Sequence, residues 1–198
     1  MRSNWTTLPL SRAQIGGCDR EALLSGAVIA YPTEGVWGLG CSPASEEAVM
    51  RVLQIKERSV KQGLILVAGS INQFAPFLEN LKEDQIQRLN LSWPGPVTFL
   101  VPDHGVSPDF IRGEHATVAL RVSAHPVVQS LCQMLGGPIV STSANRSGEP
   151  AALSESEVVE QFSREVDFII PGPLGGQAGP SEIIDLATGQ VLRPKVAR

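Results

Sequence analysis

The sequence predicts an α/β fold built on a twisted, mixed parallel and antiparallel sheet flanked by helices. Three observations carry that prediction. Apolar, β-rich runs alternate with helix-patterned stretches almost from end to end. The helical stretches open on recognisable capping residues. Thr188-Gly189, between two short β-rich runs, reads as a hairpin turn and makes part of the sheet antiparallel.

In chain order, a strand is expected at 27–31. It runs into Tyr31-Pro32-Thr33-Glu34-Gly35-Val36-Trp37-Gly38-Leu39-Gly40, read as a glycine-rich turn that exposes Thr33 and Glu34. Ser45 precedes a helix whose apolar stripe, Val49, Val52 and Leu53, continues to Lys56. A strand follows at 64–68. Ser70-Ile71-Asn72-Gln73 has the form of a capping box ahead of Phe74, Leu78 and Leu81 at helical spacing. Strands are expected at 97–101 and 117–122, then a helix through Val127, Val128, Leu131 and Leu135 that stops at Gly136. A strand at 139–142 precedes a helix opened by Ser154 and Glu157, with Val158, Val159 and Phe162 on its stripe. Strands at 168–170, 183–186 and 190–193 close the pattern, with residues 171–180 as a proline- and glycine-rich loop. No repeat or linker divides the chain, so one domain over 1–198 is expected.

Composition excludes several classes. Hydrophobic residues make up 42% and charged residues 18% of 198, which rules out a disordered chain. A chain of this length buries about 70% of its unfolded surface and needs no disulfide or metal staple. No run approaches the ~18 apolar residues that span a bilayer, and residues 1–10 lack a signal-type apolar core. Three cysteines, Cys18, Cys41 and Cys132, form an odd set without metal spacing, as expected of buried thiols in a cytoplasmic protein. A net charge of −4 excludes a broad polyanion-binding surface. Locally, Arg51, Lys56, Arg58 and Lys61 face one acid, Glu57, which reads either as an anion site or as a solvated helix end.

Familiar catalytic motifs are missing from the sequence. There is no GxxxxGK[ST] and no GxSxG, and Pro43 occupies the third glycine position after Gly38-Leu39-Gly40. His104, His115 and His125 lack ligand spacing and read as surface or capping residues. Three segments remain: the 31–40 turn; Lys56-Glu57-Arg58; and Pro138-Ile139-Val140-Ser141-Thr142-Ser143-Ala144-Asn145-Arg146-Ser147-Gly148. The Lys56 ammonium points inward from a last helical turn, where it either meets an acid or a bound anion or snorkels as a structural lysine. Arg58 adds a planar fork suited to phosphate oxygens. The third segment ends a buried strand in hydroxyls, an amide and a guanidinium, donors suited to a nucleotide at a strand end.

Taken together, these segments resemble the YrdC-like threonylcarbamoyl-AMP synthase family, in its short single-domain bacterial form. The matching motifs are Tyr31-Pro32-Thr33-Glu34, Trp37-Gly38-Leu39-Gly40, Lys56-x-Arg58, Trp93-Pro94-Gly95-Pro96-Val97-Thr98, Val118-Ala119-Leu120-Arg121-Val122, Ser141-Thr142-Ser143-Ala144-Asn145-x-Ser147-Gly148 and Pro180-Ser181-Glu182-Ile183. The resemblance implies that L-threonine and bicarbonate form a carbamate, which attacks the α-phosphate of ATP to give threonylcarbamoyl-AMP and diphosphate. Partner proteins would then pass the group to the tRNA adenosine next to the anticodon. It further implies a concave cationic cleft. Lys56, Arg58, Thr117, Ser141, Ser143, Asn145 and Arg193 would line the ATP site, with Lys56 and Arg58 catalytic and Mg²⁺ accompanying ATP. Thr33, Arg121 and Ser181 would hold threonine, Arg121 by its carboxylate. A carbamate is already an anion, so the missing base machinery fits the chemistry.

The chain departs from the family pattern at Ser59 and Gly63, where many members have proline. It departs again at Val67, where longer members have a histidine that contacts threonine. Lys56 has no acid assigned to it, so its removal is expected to end adenylate formation without harming the fold. Residues 171–180 are expected to wall the cleft as a lid. The competing function is an RNA-binding factor in ribosome maturation, gripping tRNA or double-stranded RNA through the 51–61 segment with Arg121, Arg146 and Arg193.

Overall fold

The computed structural model describes residues 17–196, so the expectation for residues 1–10 lies outside the described residues. The helices are α1 (Arg20–Leu24), α2 (Glu46–Ile55), α3 (Ala75–Leu78), α4 (Glu83–Ser92), α5 (Asp109–Arg112), α6 (Pro126–Leu135) and α7 (Glu155–Phe162). The strands are β1 (Ile29–Pro32), β2 (Trp37–Cys41), β3 (Ile65–Ala68), β4 (Val97–Pro102), β5 (Thr117–Val122), β6 (Ile139–Ser143), β7 (Phe168–Ile169), β8 (Glu182–Asp185) and β9 (Val191–Arg193). They form one sheet in the order β7-β1-β2-β6-β3-β5-β4-β8-β9. Three neighbouring pairs are parallel, β1 with β7, β3 with β5 and β4 with β8; the other five are antiparallel. The mixed sheet matches the expectation, including the β8–β9 hairpin with Gly189 at φ +77°.

Helix punctuation follows the sequence. The Ser45 side chain accepts from Ala48 N and the Ser154 side chain from Glu157 N, each occupying an otherwise orphaned first-turn donor. Gly136 ends α6 in the left-handed conformation. The Ser70 element departs from one continuous helix. A 3-10 turn over Ile71–Phe74 gives way to α3 at Pro76, whose ring nitrogen has no hydrogen for a helical bond. Val159, expected on the buried stripe of α7, is 45% exposed, while Val158 and Phe162 carry the packing.

The larger departure is β2. The glycine-rich stretch expected as a turn is a buried strand between β1 and β6. It lies against Tyr31: a Cβ on Gly40 would sit 2.1 Å from Val140 O and 3.0 Å from the Tyr31 ring. Only glycine lets the two backbones approach so closely. Gly38-Leu39-Gly40 therefore lies inside a strand rather than opening a helix, and Thr33 beyond the strand pair is buried rather than exposed.

Strand alternation sorts the core into two layers. Even-numbered Leu66, Ala68, Val118, Leu120, Val122 and Val140 join the larger core with residues of α2, α4, α5 and α7. Phe74, Trp93 and Phe99 stack there at 5.7–5.9 Å between centroids. Odd-numbered Val67 and Ile139 pack beneath α6 on the opposite face. Val67 and its odd-numbered neighbour Ile65 also line a cavity on that face.

Candidate active site

A cavity of about 320 Å³ opens on this sheet face. Its floor is the continuation of the odd-numbered rows: Ile65 and Val67 of β3, Thr117, Ala119 and Arg121 of β5, Ser141 and Ser143 of β6. Cross-strand register sets Ser141, Ile65 and Ala119 side by side, with Val67 beside Arg121. Thr33 of the β1–β2 turn, Arg58, Arg112, Ser181 and Arg193 complete the polar wall. Four arginines line the cavity and no carboxylate does. Arg121 is paired with Glu34, and Arg112 with Asp103 and Asp109, so Arg58 and Arg193 are the lining arginines without an ion-pair partner among the described residues.

Each polar residue is held by a neighbour. Tyr31, fully buried, donates from its hydroxyl to Ser141 Oγ at 2.7 Å, which leaves the Ser141 hydrogen for another acceptor. Arg193 Nε donates to Ser181 O at 2.8 Å and its Nη2 reaches Ser181 Oγ at 3.2 Å. Ser181 Oγ also bonds Thr98 Oγ1 at 2.8 Å. Arg58 Nη2 donates to Gly63 O at 3.0 Å, while its buried Nε finds no hydrogen-bond partner among the described residues. The 171–180 loop walls the cavity through Gln177, Gly179 and Pro180. It is seated on the 33–35 turn, with Gly175 N donating to Thr33 O at 3.0 Å and Gln177 N to Glu34 O at 2.8 Å.

Lys56 and Asn145 are not in the wall; they stand behind Ser143. Lys56 is the C-cap of α2 and buried, as its stripe position predicts, but its ammonium is not unpartnered. Nζ donates to Ser143 O at 2.6 Å, Asn145 O at 2.8 Å and Asn145 Oδ1 at 3.0 Å. Ser143 Oγ donates to the same Oδ1 at 2.6 Å. Asn145 Nδ2 closes the loop on Arg146 O and Glu149 O. The expectation of a lone inward charge is therefore corrected: the strand end after β6 folds its oxygens around the lysine.

The model of the Sua5/YciO/YrdC family, described as telomere recombination, matches residues 21–195. The chain belongs to this family. It is 52% identical over 170 residues to a threonylcarbamoyl-AMP synthase of Pseudomonas entomophila, covering 86% of this chain and 91% of that one. The counterpart in Pseudomonas fluorescens Pf0-1 is 54% identical over the same length. Among solved structures, P. abyssi Sua5 complexed with L-threonine superimposes with a TM-score of 0.81 at 34% identity, covering 89% of this chain and 53% of that one. E. coli YciO matches with a TM-score of 0.77 at 25% identity, covering 90% and 88%. The chain thus spans about half the length of the Sua5 structure.

Burial and mutual repulsion act on the cations of this family member. Burial, with Arg121 and Arg58 nearby, lowers the Arg193 guanidinium, and burial lowers Arg58. Burial followed by the Arg58 charge pushes Lys56 down to about 8. The ammonium is therefore charged at neutral pH and loses its proton as pH rises through about 8. Amide resonances of Ser143, Asn145 and Ser147, whose N–H donates to Lys56 O at 2.8 Å, are expected to titrate together near pH 8. The same resonances in Lys56→Met should stay flat, and a titration surviving that substitution would assign the proton elsewhere.

The basic segment 51–61 does not form one face. Arg51 pairs with Asp167 at 3.0 Å and Lys61 with Glu114 at 2.7 Å, Lys56 is buried, and only Arg58 faces the cavity. Arg146 turns away to Glu165 at 2.6 Å and over the Phe162 ring. The sequence reading missed Arg112 and His115, which lie on the cavity rim, and Glu34, expected to be exposed but nearly buried against Arg121. Of the histidines, His125 occupies the N-cap position of α6, yet it is buried with Nε2 bonding Pro173 O at 3.0 Å. All three cysteines are buried and free; burial raises the Cys41 and Cys132 thiols to about 12. No helix of the described residues is long and apolar enough to cross a membrane.

Proposed function

We propose that this chain is a threonylcarbamoyl-AMP synthase working in the sheet-face cavity. The observation that carries the reading is a cleft lined by four arginines and no carboxylate in a chain 52% identical to enzymes of that name. Threonine's amine and bicarbonate form a carbamate with loss of water. A carbamate oxygen then bonds the α-phosphorus of ATP while the bond to diphosphate breaks. Such a displacement needs alignment and charge neutralisation rather than a side-chain base.

Arg58 and Arg193 meet the triphosphate. Ser141, Ser143 and Thr117 supply neutral donors to the nucleotide, and Arg121 binds the threonine carboxylate with Thr33 and Ser181 beside it. Lys56 acts through the strand end it organises. A resident Mg²⁺ does not fit the residues present: the described residues hold no cluster of three metal-ligating side chains, no carboxylate lines the cavity, and Glu34 beside it is taken by Arg121. Mg²⁺ enters bound to ATP as part of the substrate. The 171–180 loop closes over the labile carbamate and mixed anhydride. The adenylate passes to proteins that transfer its threonylcarbamoyl group to tRNA adenosine.

Mass spectrometry of the product from ATP, threonine and labelled bicarbonate tests the reading. The label is expected in one carbamoyl carbon of threonylcarbamoyl-AMP, and a folded protein that yields none overturns it. Arg121→Lys keeps the charge and loses the planar two-point contact. It is expected to raise the threonine KM by roughly tenfold or more and leave the ATP KM unchanged. A change confined to ATP would reverse the assignment of the two ends.

A further inference from the structure

We propose that Glu34 is a positioning residue for substrate binding, orienting the Arg121 guanidinium and tying it to the loop that walls the cavity. The inference rests on the reading of Arg121 as the carboxylate-binding residue.

Glu34 and Arg121 are side chains 12% and 8% exposed, with Arg121 Nη1 at 3.3 Å from Glu34 Oε2. The pair is within charge contact but not aligned as a hydrogen bond, since Oε2 has no hydrogen-bond partner among the described residues. Arg121 Nε is likewise buried without one. One corner of the guanidinium is thus engaged by protein charge. Its Nε/Nη2 edge makes no hydrogen bond among the described residues. That edge presents two parallel N–H groups, the geometry that matches the two oxygens of a carboxylate. Val67, beside Arg121 in the next strand, offers the guanidinium no polar partner. Among the described residues, Glu34 is therefore the one acid ion-paired with it.

Glu34 itself is fixed from the other side. Its Oε1 accepts from Ser123 Oγ at 2.7 Å and from Ala124 N at 3.1 Å. Burial alone would raise its pKa, but the Arg121 charge and the bonds from Ser123, its own backbone and Ala124 hold the carboxyl below its usual range. Its backbone carbonyl accepts from Gln177 N, and its Cα would lie 2.9 Å from a Cβ on Gly175. Ser123 Oγ also accepts from His125 N, and the His125 ring holds Pro173 O. The carboxylate that turns Arg121 thus sits on the same turn that seats the 171–180 loop. Binding a substrate carboxylate at Arg121 is mechanically connected to that seat.

The test is a kinetic cycle of Glu34→Gln, Arg121→Lys and the double variant, with KM for threonine and for ATP and kcat measured separately. Glutamine keeps an acceptor for Ser123 and Ala124 while removing the charge that orients Arg121. Glu34→Gln is expected to raise the threonine KM by about tenfold, with the ATP KM within about twofold. The increase should largely vanish in the Arg121→Lys background, because the two changes act on one contact. Ser123→Ala, a milder loosening of Glu34, should raise the threonine KM in the same direction and serves if Glu34→Gln does not fold. Equal effects on both KM values, a fall in kcat alone, or full additivity with Arg121→Lys would make Glu34 merely structural and overturn the proposal. An Arg121→Lys variant with unchanged threonine KM would overturn the carboxylate reading itself, and this proposal with it. A raised threonine KM in Arg121→Lys but not in Glu34→Gln or Ser123→Ala would overturn only the role of Glu34.

Discussion

Replacing Lys56 with methionine is expected to lower the rate of adenylate formation by about a hundredfold, the scale of a displaced active-site group. It should also destabilise the fold by about 2 kcal/mol or more. Methionine keeps the apolar stem against α2 but offers no donor. Ser143 O, Asn145 O and Asn145 Oδ1, which the ammonium meets at 2.6–3.0 Å, would lose their shared partner. Buried acceptors left unsatisfied cost about 1–3 kcal/mol each, less wherever water from the cavity reaches them. The strand end would then shift, and Ser143 with it, at the wall of the cavity. The sequence alone led to the opposite expectation for stability, because a lysine on an apolar stripe looks unpaired. Urea unfolding together with diphosphate release checks both parts. A Lys56→Met protein of wild-type stability and low rate would restore a direct role on the triphosphate, and one of wild-type rate would remove the residue from the mechanism.

Gly35→Ala is expected to unseat the 171–180 loop and reduce activity on the order of a hundredfold. The added Cβ would lie 1.9 Å from Gly179 O and 2.7 Å from Gly179 C, both backbone atoms that cannot swing aside. The loop would have to lift, breaking the bonds from Gly175 N to Thr33 O and from Gln177 N to Glu34 O. Gln177, Gly179, Pro180 and Ser181 would leave the wall together. Hydrogen exchange across 171–181 should rise in the variant, and the slowing by substrates expected in the parent should be lost. Gly137→Ala, where a Cβ meets nothing within 4 Å, is the control and should be neutral. Unchanged exchange and rate in Gly35→Ala would show that the loop tolerates displacement and is not part of the working site.

Much of the chemistry was legible because it sits in contiguous motifs. Thr33, Arg58, Thr117, Arg121, Ser141, Ser143, Ser181 and Arg193, named from the sequence, all line one cavity. A further signal was present and unused: the alternation of Thr117, Ala119 and Arg121 with the apolar Val118, Leu120 and Val122 marks one face of the sheet. Glu34 carried no such signal. Its partner lies on β5, and a Pro-Thr-Glu-Gly turn looks solvent-exposed until a distant loop covers it.

By itself the sequence determined the α/β class, most strand positions, the helix starts at Ser45 and Ser154 and the stop at Gly136. These depend on local periodicity and on side chains that bond their own backbone within a few residues. Only the tertiary structure decided that Trp37–Cys41 is a strand, since its glycines have little strand preference and are held by β1, β6 and the Tyr31 ring. It also decided the fate of each charge. Lys56 is enclosed by a strand end, Arg51 and Lys61 are spent on Asp167 and Glu114, and Arg121 is turned by Glu34. The electrostatic role of a side chain depends on partners within a few ångströms, and in this fold those partners come from elements remote in the chain.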